Sequence, residues 1–319
     1  KSIIRELRHK RIAKSVMEKT RGLRLDEAHA ELEGLSDIAV TNYSGINDDD
    51  IQNFIGFIDE NSRKMSFGIP TGIGGLDRIV GGMEPATVWA IGAPTSGGKT
   101  SLLSQIVANA VTEKFSVCLY ATLEMDKNRI LSRIVGAMLG ISAKRIYEGR
   151  LRDDEKTRVA EAMGVCGAAK LDIVRDAYTL ADIVMAARSK RIQCSRLDVL
   201  VVDFLQNVSI PGVDNINERM AEASRQLQAL SSELKCCVLI ASQLSNDTVR
   251  EAGSGILSFR YASELGHAAD VALEIIPNRK DGQITSTDIL IRKNRNGAIG
   301  KIVVDLADQY SRFREVSGD

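Results

Sequence analysis

The strongest constraint in this 319-residue chain is a short apolar run, Thr87–Gly92, that passes directly into Ala93-Pro94-Thr95-Ser96-Gly97-Gly98-Lys99-Thr100 and then into a helical pattern. The eight residues fit the relaxed phosphate-loop pattern [AG]-x4-G-K-[ST], with Ala93 where the stricter form has Gly. The flanks matter as much as the letters, because the loop must leave a strand and open a helix. Pro94, Thr95 and Ser96 are read with the rest of the loop as nucleotide-binding residues. Gly97 and Gly98 let backbone N–H groups point inward at phosphate oxygens. The N-terminus of the next helix adds partial positive charge. Lys99 is placed to reach β- and γ-phosphates, and the Thr100 hydroxyl to ligate Mg²⁺. The competing reading, a glycine-rich turn with a chance Lys-Thr pair, does not account for those flanks.

Downstream, β-branched runs alternate with helical patterns. Strands are predicted at Thr87–Gly92, Ser116–Leu123, Leu171–Val174, Leu197–Phe204, Cys236–Ala241, Val271–Ile276, Asp288–Arg292 and Ile302–Asp305. Helices are predicted at Thr100–Thr112, Lys127–Leu139, Asp153–Val165, Leu180–Cys194 and Asn217–Leu234. Runs such as Val199-Leu200-Val201-Val202 suit strands covered on both faces. The pattern implies an α/β fold with a mainly parallel sheet between helices.

Composition narrows the classes. Lys+Arg and Asp+Glu are both 42, so bulk charge cannot coat nucleic acid, although local basic patches remain open. No apolar run approaches the ~18 residues of a membrane span. Five cysteines without a C-x-x-C pair, and three histidines, leave no zinc spacing and read as reduced, buried thiols. The chain begins at Lys1 without a signal-peptide pattern and reads as part of something longer. Residues 1–24 carry nine basic residues against Glu6 and Glu18, with Ile4, Leu7, Ile12 and Val16 at helical spacing. This basic helix could bind nucleic acid or lay its apolar stripe on a partner; the partner is favoured because so short a helix cannot bury its stripe alone. Residues 1–35 are therefore read as a helical linker, 36–65 as a flexible polar linker and 66–319 as the main domain.

Several residues could complete a nucleotide site. Asp203 ends the most apolar strand, beside the crevice where nucleotides bind in such sheets, and suits magnesium. Glu124 ends the preceding strand and is either a base that activates water or a helix N-terminal acid. Gln243 follows Cys236–Ala241 and is either a γ-phosphate sensor or a loop amide. Lys293 and Arg295 are either a solvated basic hairpin or a finger that reaches a neighbouring subunit's γ-phosphate.

Taken together, these motifs resemble the RecA-like motor domain of DnaB-type replicative DNA helicases over about Ser66–Phe313. The resemblance rests on Gly68-Ile69-Pro70-Thr71-Gly72 with Leu76-Asp77-Arg78, the phosphate loop, Leu123-Glu124-Met125, Asp203-Phe204-Leu205-Gln206, Ser242-Gln243-Leu244, and Lys293-Asn294-Arg295-Asn296-Gly297-Ala298-Ile299-Gly300. It implies ATP and Mg²⁺ as cofactors. Lys99 and Thr100 would hold phosphates and Mg²⁺, Glu124 would be the catalytic base, Asp203 the magnesium acid and Gln243 the sensor. Lys293 and Arg295 would act in trans, and Arg133 would lie near the nucleotide. The first helix would resemble the family's linker helix and pack on a neighbour in a ring of six. The ring would translocate on single-stranded DNA, with 5′–3′ polarity, in the cytoplasm of a bacterial or phage-infected cell, alongside primase and a loader. Arg250 and Arg260 would face the DNA. The loop there departs from the family's Leu-Arg-Glu-Ser-Gly and reads Phe259-Arg260-Tyr261-Ala262-Ser263, so only Arg260 matches. The alternatives are a RecA-like scaffold or a recombinase-like filament that binds DNA without unwinding it.

Overall fold

The computed structural model describes residues 46, 48–62, 68–175, 177, 179–244, 263–280, 283–307 and 312–316. The chain divides into two compact units, Lys1–Lys64 and Met65–Asp319. The basic helix expected in residues 1–24 and the rest of the helical linker read to residue 35 lie outside the described residues, as do Arg250 and Arg260.

In the first unit, α1 (Asp48–Ser62) falls inside the stretch read as a flexible linker. Asp48, Asp49 and Asp50 occupy its first turn, where carboxylates oppose the helix dipole favourably. Ile51, Phe54, Ile55 and Ile58 recur at helical spacing, a stripe that the polar composition conceals. All four side chains are exposed.

The second unit is one nine-stranded sheet with helices on both faces. Its elements are α2 (Gly74–Val80), β1 (Val88–Ala93), α3 (Lys99–Glu113), β2 (Cys118–Thr122), α4 (Lys127–Leu139), α5 (Ala143–Tyr147), α6 (Asp153–Ala168) and β3 (Asp172–Val174). There follow α7 (Leu180–Cys194), β4 (Val199–Asp203), α8 (Ile216–Leu234), β5 (Cys237–Gln243), α9 (Ser263–Ala268), β6 (Val271–Lys280), β7 (Gln283–Asn294), β8 (Gly300–Ala307) and β9 (Arg312–Glu315). The spatial order is β3-β2-β4-β5-β1-β6-β7-β8-β9. Strands β3 to β6 in that order are parallel, and β6 through β9 form an antiparallel meander.

Alternation along the central strands feeds two cores. Trp89 and Ile91 face a cluster with Leu102, Leu103 and Ile106 of α3 and Ile130 and Ile134 of α4. Val88 and Ala90 face the other cluster, with Leu180 and Ile183 of α7 and Leu227 and Leu230 of α8. Among the described residues, no helix is long and apolar enough to cross a membrane. Four cysteines are buried and Cys194 is half-buried, all as free thiols.

The predicted helices lie within three residues of those found, and α4 and α7 coincide with them. Five elements were hidden from the sequence pattern: α1, α2, α5, α9 and β9. In α2 two glycines open the helix, but Asp77 stabilises the turn before it by accepting hydrogen bonds from the Thr71 N–H and hydroxyl, both at 2.8 Å. Gly72 in that turn has φ +82°, and a Cβ there would lie 2.8 Å from the Asn109 side chain, so glycine is required. The strand predicted to stop at Ile276 runs on through Pro277, which pairs with Thr287. Proline is tolerated because β1 covers β6 only as far as Glu274, leaving that side of the strand without a ladder partner.

Candidate functional site

The carboxyl ends of the central strands converge on a cavity of about 350 Å³. The phosphate loop leaves β1 and wraps one wall. Gly97 N–H donates to Pro94 O at 2.9 Å and closes the turn. A Cβ at Gly97 would sit 2.9 Å from that same oxygen. Ser96 has φ 57° and Gly98 φ 93°. Gly98 caps α3 without a side-chain hydrogen bond, and the first turn of α3 holds no acid. The leading N–H groups of α3 therefore lack side-chain acceptors, and an anion completes such an end.

Lys99 Nζ donates to Ala93 O at 3.0 Å and Pro94 O at 3.4 Å, so its ammonium is folded over the loop. Burial lowers its affinity for the proton, and the Asp203 and Glu124 carboxylates oppose that shift. Asp203, the last residue of β4, is buried. Burial pushes its carboxyl above the usual range, against hydrogen bonds from Tyr120 and Thr100 and the charge of Lys99. Glu124, Met125 and Arg133 line the facing wall. The turn that carries Glu124 is held by Thr122, whose hydroxyl accepts from Met125 N–H at 3.1 Å and donates to Met125 O at 3.0 Å. Arg133 Nη1 donates to the Ser101 hydroxyl at 3.2 Å, tying α4 to the first turn of α3. Gln243 Nε2 donates to the Thr95 hydroxyl at 2.7 Å, closing the mouth from β5.

The cavity thus brings together Thr95, Ser96, Gly97, Gly98, Lys99 and Thr100 of the loop with Glu124, Arg133, Asp203 and Gln243. Pro94 belongs to the loop through its carbonyl. The donor set suits a hard divalent cation: one hydroxyl and one carboxylate side by side, which is how Mg²⁺ is held when phosphates supply other ligands. Among the described residues, no cluster of three or more His, Cys, Asp or Glu forms a metal cage, so a cation here depends on phosphate oxygens.

Lys293 and Arg295 are not in this cavity. Strand β7 runs antiparallel to β6, so its carboxyl end returns to the amino end of β1. There Arg295 Nη1 pairs with Asp270 Oδ1 at 2.9 Å, while Asp270 Oδ2 accepts from Val88 N–H at 2.9 Å. Val88 and Ala93 bound β1, and five strand steps of ~3.3 Å separate the two ends by roughly 16 Å. Lys293 Nζ donates to Gly266 O at 3.1 Å and His267 O at 2.7 Å. Burial and then the Arg295 charge lower its proton affinity.

Three structural contacts carried no local sequence signal. Tyr120, inside an apolar strand, donates its hydroxyl to Asp203 Oδ2 at 2.8 Å. Asp270 holds Arg295. Gln206 donates to the Ser242 hydroxyl at 2.8 Å and Gln243 O at 3.2 Å, linking the end of β4 to that of β5. Gln206 stood within a recognised motif, but its link to β5 is a tertiary contact that no local pattern carries.

Residues 68–315 match the family described as the DnaB-like helicase C terminal domain. A replicative DNA helicase DnaB of Buchnera aphidicola subsp. Baizongia pistaciae is 29% identical over 271 residues, covering 78% of this chain and 56% of that protein. The replicative DNA helicase DnaB of Haemophilus influenzae is 27% identical over 321 residues, covering 91% and 65%. The chain therefore spans less than two thirds of the length of either relative. Among solved structures, one isolated ATPase domain superposes with TM-score 0.74 at 21% identity, covering 86% of this chain and all of that one. A DnaB-like replicative helicase, solved to show its interactions with primase, gives 0.72 at 21% identity, covering 99% and 78%. These two likenesses establish the RecA-like fold.

Proposed function

The chain belongs to the DnaB-like helicase C-terminal domain family, and on that premise we propose that it is the motor of a ring-shaped, ATP-driven replicative DNA helicase. The observation that carries the reading is the convergence of Lys99, Thr100, Glu124, Asp203 and Gln243 on one cavity at the carboxyl ends of four strands. Lys99 binds the β- and γ-phosphates, and the loop N–H groups cradle them. Thr100 and Asp203 hold Mg²⁺, which when bound neutralises charge that develops on the phosphoryl oxygens. Glu124 takes the proton of the attacking water. Gln243 hydrogen-bonds the γ-phosphate and gives up its Thr95 contact to do so. Arg133 lies at the end of the loop marked by Ser101.

Lys293 and Arg295 stand too far from their own cavity to serve it, so they act on the nucleotide of an adjacent copy. Head-to-tail contact of this kind closes into a ring where the rotation between copies permits and otherwise runs on as a filament; the family resemblance supports a ring of six. The contact between copies draws on residues 1–35 and on α1, whose Ile51, Phe54, Ile55 and Ile58 are exposed. Arg250 and Arg260, carried from sequence, grip the phosphates of single-stranded DNA. Primase, a loader and a place at the fork in the cytoplasm follow from the resemblance alone.

The test is the ATPase rate with and without single-stranded DNA, on protein sized by light scattering in ATP, with strand displacement on a tailed duplex. DNA-stimulated turnover and displacement by an oligomer support the motor. Hydrolysis by an oligomer that displaces no strand refutes it. Arg260→Ala should keep assembly and basal turnover but lose DNA stimulation; undiminished stimulation at matched salt removes Arg260 from the DNA surface.

A further inference from the structure

Tyr120 is fully buried in the strand Cys-Leu-Tyr-Ala-Thr, and its hydroxyl lies deeper in the core than that of Thr122 at the strand end. A buried hydroxyl needs a partner, and this one has Asp203 Oδ2 at 2.8 Å. Strand register explains the contact. Thr122 of β2 stands beside Asp203 of β4, and Tyr120 lies two residues back on the same face. Its ring is set in the core cluster with Trp89, Leu102 and Leu103, so the hydroxyl cannot swing away.

Asp side chains have a broad, roughly two-fold terminal torsion, so strand geometry alone does not choose which oxygen faces the loop. A fixed phenol does choose. A phenol facing a carboxylate can only donate. It holds Oδ2, while the Thr100 hydroxyl and the Lys99 charge act on the same carboxylate from the loop side. We propose that Tyr120 is a positioning residue that fixes the Asp203 carboxylate for the magnesium–nucleotide complex, acting through Asp203 rather than touching nucleotide or metal. This rests on the nucleotide reading above and deepens it: it names a residue, outside every motif of the site, that sets how strongly Mg²⁺ assists nucleotide binding.

The test is equilibrium binding of a fluorescent ATP analogue with and without Mg²⁺, on the full chain, for wild type and Tyr120→Phe, alone and in an Asp203→Asn background. Phe keeps the ring and the core. The Mg²⁺-dependent gain in affinity should fall roughly tenfold or more in Tyr120→Phe, the range seen when partners of metal ligands are removed. Metal-free binding should be unchanged, and Tyr120→Phe should add nothing once Asp203 is Asn. An undiminished Mg²⁺-dependent gain overturns the proposal. So does an equal loss of affinity with and without Mg²⁺, which is what a purely structural tyrosine produces. A wild-type chain whose nucleotide affinity ignores Mg²⁺ would instead overturn the nucleotide reading, and this one with it.

Discussion

The two ends of the central sheet carry opposite kinds of chemistry. At the carboxyl ends, polar groups bond to one another: Tyr120 to Asp203, Gln243 to Thr95, Lys99 to its own loop. At the amino ends, Arg295 leans on Asp270 with its side chain 65% exposed. The first arrangement is complete apart from the phosphates it would bind. The second presents a cation outward, with its own chain's cavity at the far end of β1. An arginine has five donors in a fixed fork, and Asp270 takes one side-chain contact from it in this structure. On the proposed reading, the difference teaches that a single copy holds all the parts but cannot bring them together, and that the working site would lie between copies.

The largest effect follows from breaking that division at its outward end. Arg295→Ala should lower ATP turnover roughly a thousandfold, the scale of a lost arginine finger, while nucleotide binding survives because the cavity is intact. Mixing it with wild-type chains sharpens the point. If Arg295 serves the neighbour, each mutant subunit silences a site that is not its own, and Lys99→Ala subunits mixed with Arg295→Ala subunits should recover some turnover at junctions that pair one intact loop with one intact finger. Two variants that never complement place both residues in one subunit's site and end the comparison. At the inward end, Lys99→Ala should cost roughly a hundredfold to a thousandfold in turnover, as removal of one charge-stabilising donor does, with thermal stability unchanged. It should also weaken nucleotide binding, which Arg295→Ala should not. Equal binding losses in the two variants would show that both side chains touch the same bound nucleotide in the same way.

How legible these ends were in the sequence differs for a physical reason. The inward end is built from strand termini and one loop, and local patterns mark both: the apolar run into Gly97-Gly98-Lys99-Thr100, Asp203 after Val199–Val202, Glu124 and Gln243 after their strands. The five longer helices of the second unit, α3, α4, α6, α7 and α8, were legible too, because their 3.6 periodicity is local. The residues that tune the site were not. Tyr120 reads as one more aromatic in a buried strand, and only the register of β2 against β4 reveals its partner. Asp270 reads as a strand-edge acid. Its pairing with Arg295 depends on β7 folding back along β6, a contact across 25 residues of sequence. Strand β6 was cut short because proline ordinarily ends a ladder, and the missing neighbour that permits Pro277 is a tertiary fact. Helix α1 was hidden by composition: its acids made the segment look like a linker although Ile51, Phe54, Ile55 and Ile58 mark a stripe.

The smallest effect concerns how the outward end is held. Asp270 could support Arg295 or restrain it, and the geometry discriminates. Asp270 stands one residue before β6, donates its N–H to Val88 O at 2.8 Å and accepts from Val88 N–H, so it is held at both groups. Arg295 N–H also donates to Asp270 O at 2.8 Å, which fixes the backbone from which the side chain projects. With Nη1 held and the rest of the side chain exposed, the remaining donors point away from the chain already ordered. On the proposed reading that is preorganisation, which would lower the entropy lost on reaching a neighbour's phosphate. Asp270→Asn keeps an oxygen for Val88 and removes the charge. An ion pair with one partner this exposed is worth at most about 1 kcal/mol, which converts to roughly a fivefold fall in turnover. The fall should appear in kcat with the KM for ATP unchanged, because Arg295 meets the nucleotide only as charge develops. A rise in turnover would mean that Asp270 withholds the finger until a neighbour arrives, and would turn the amino end of the sheet from a support into a brake.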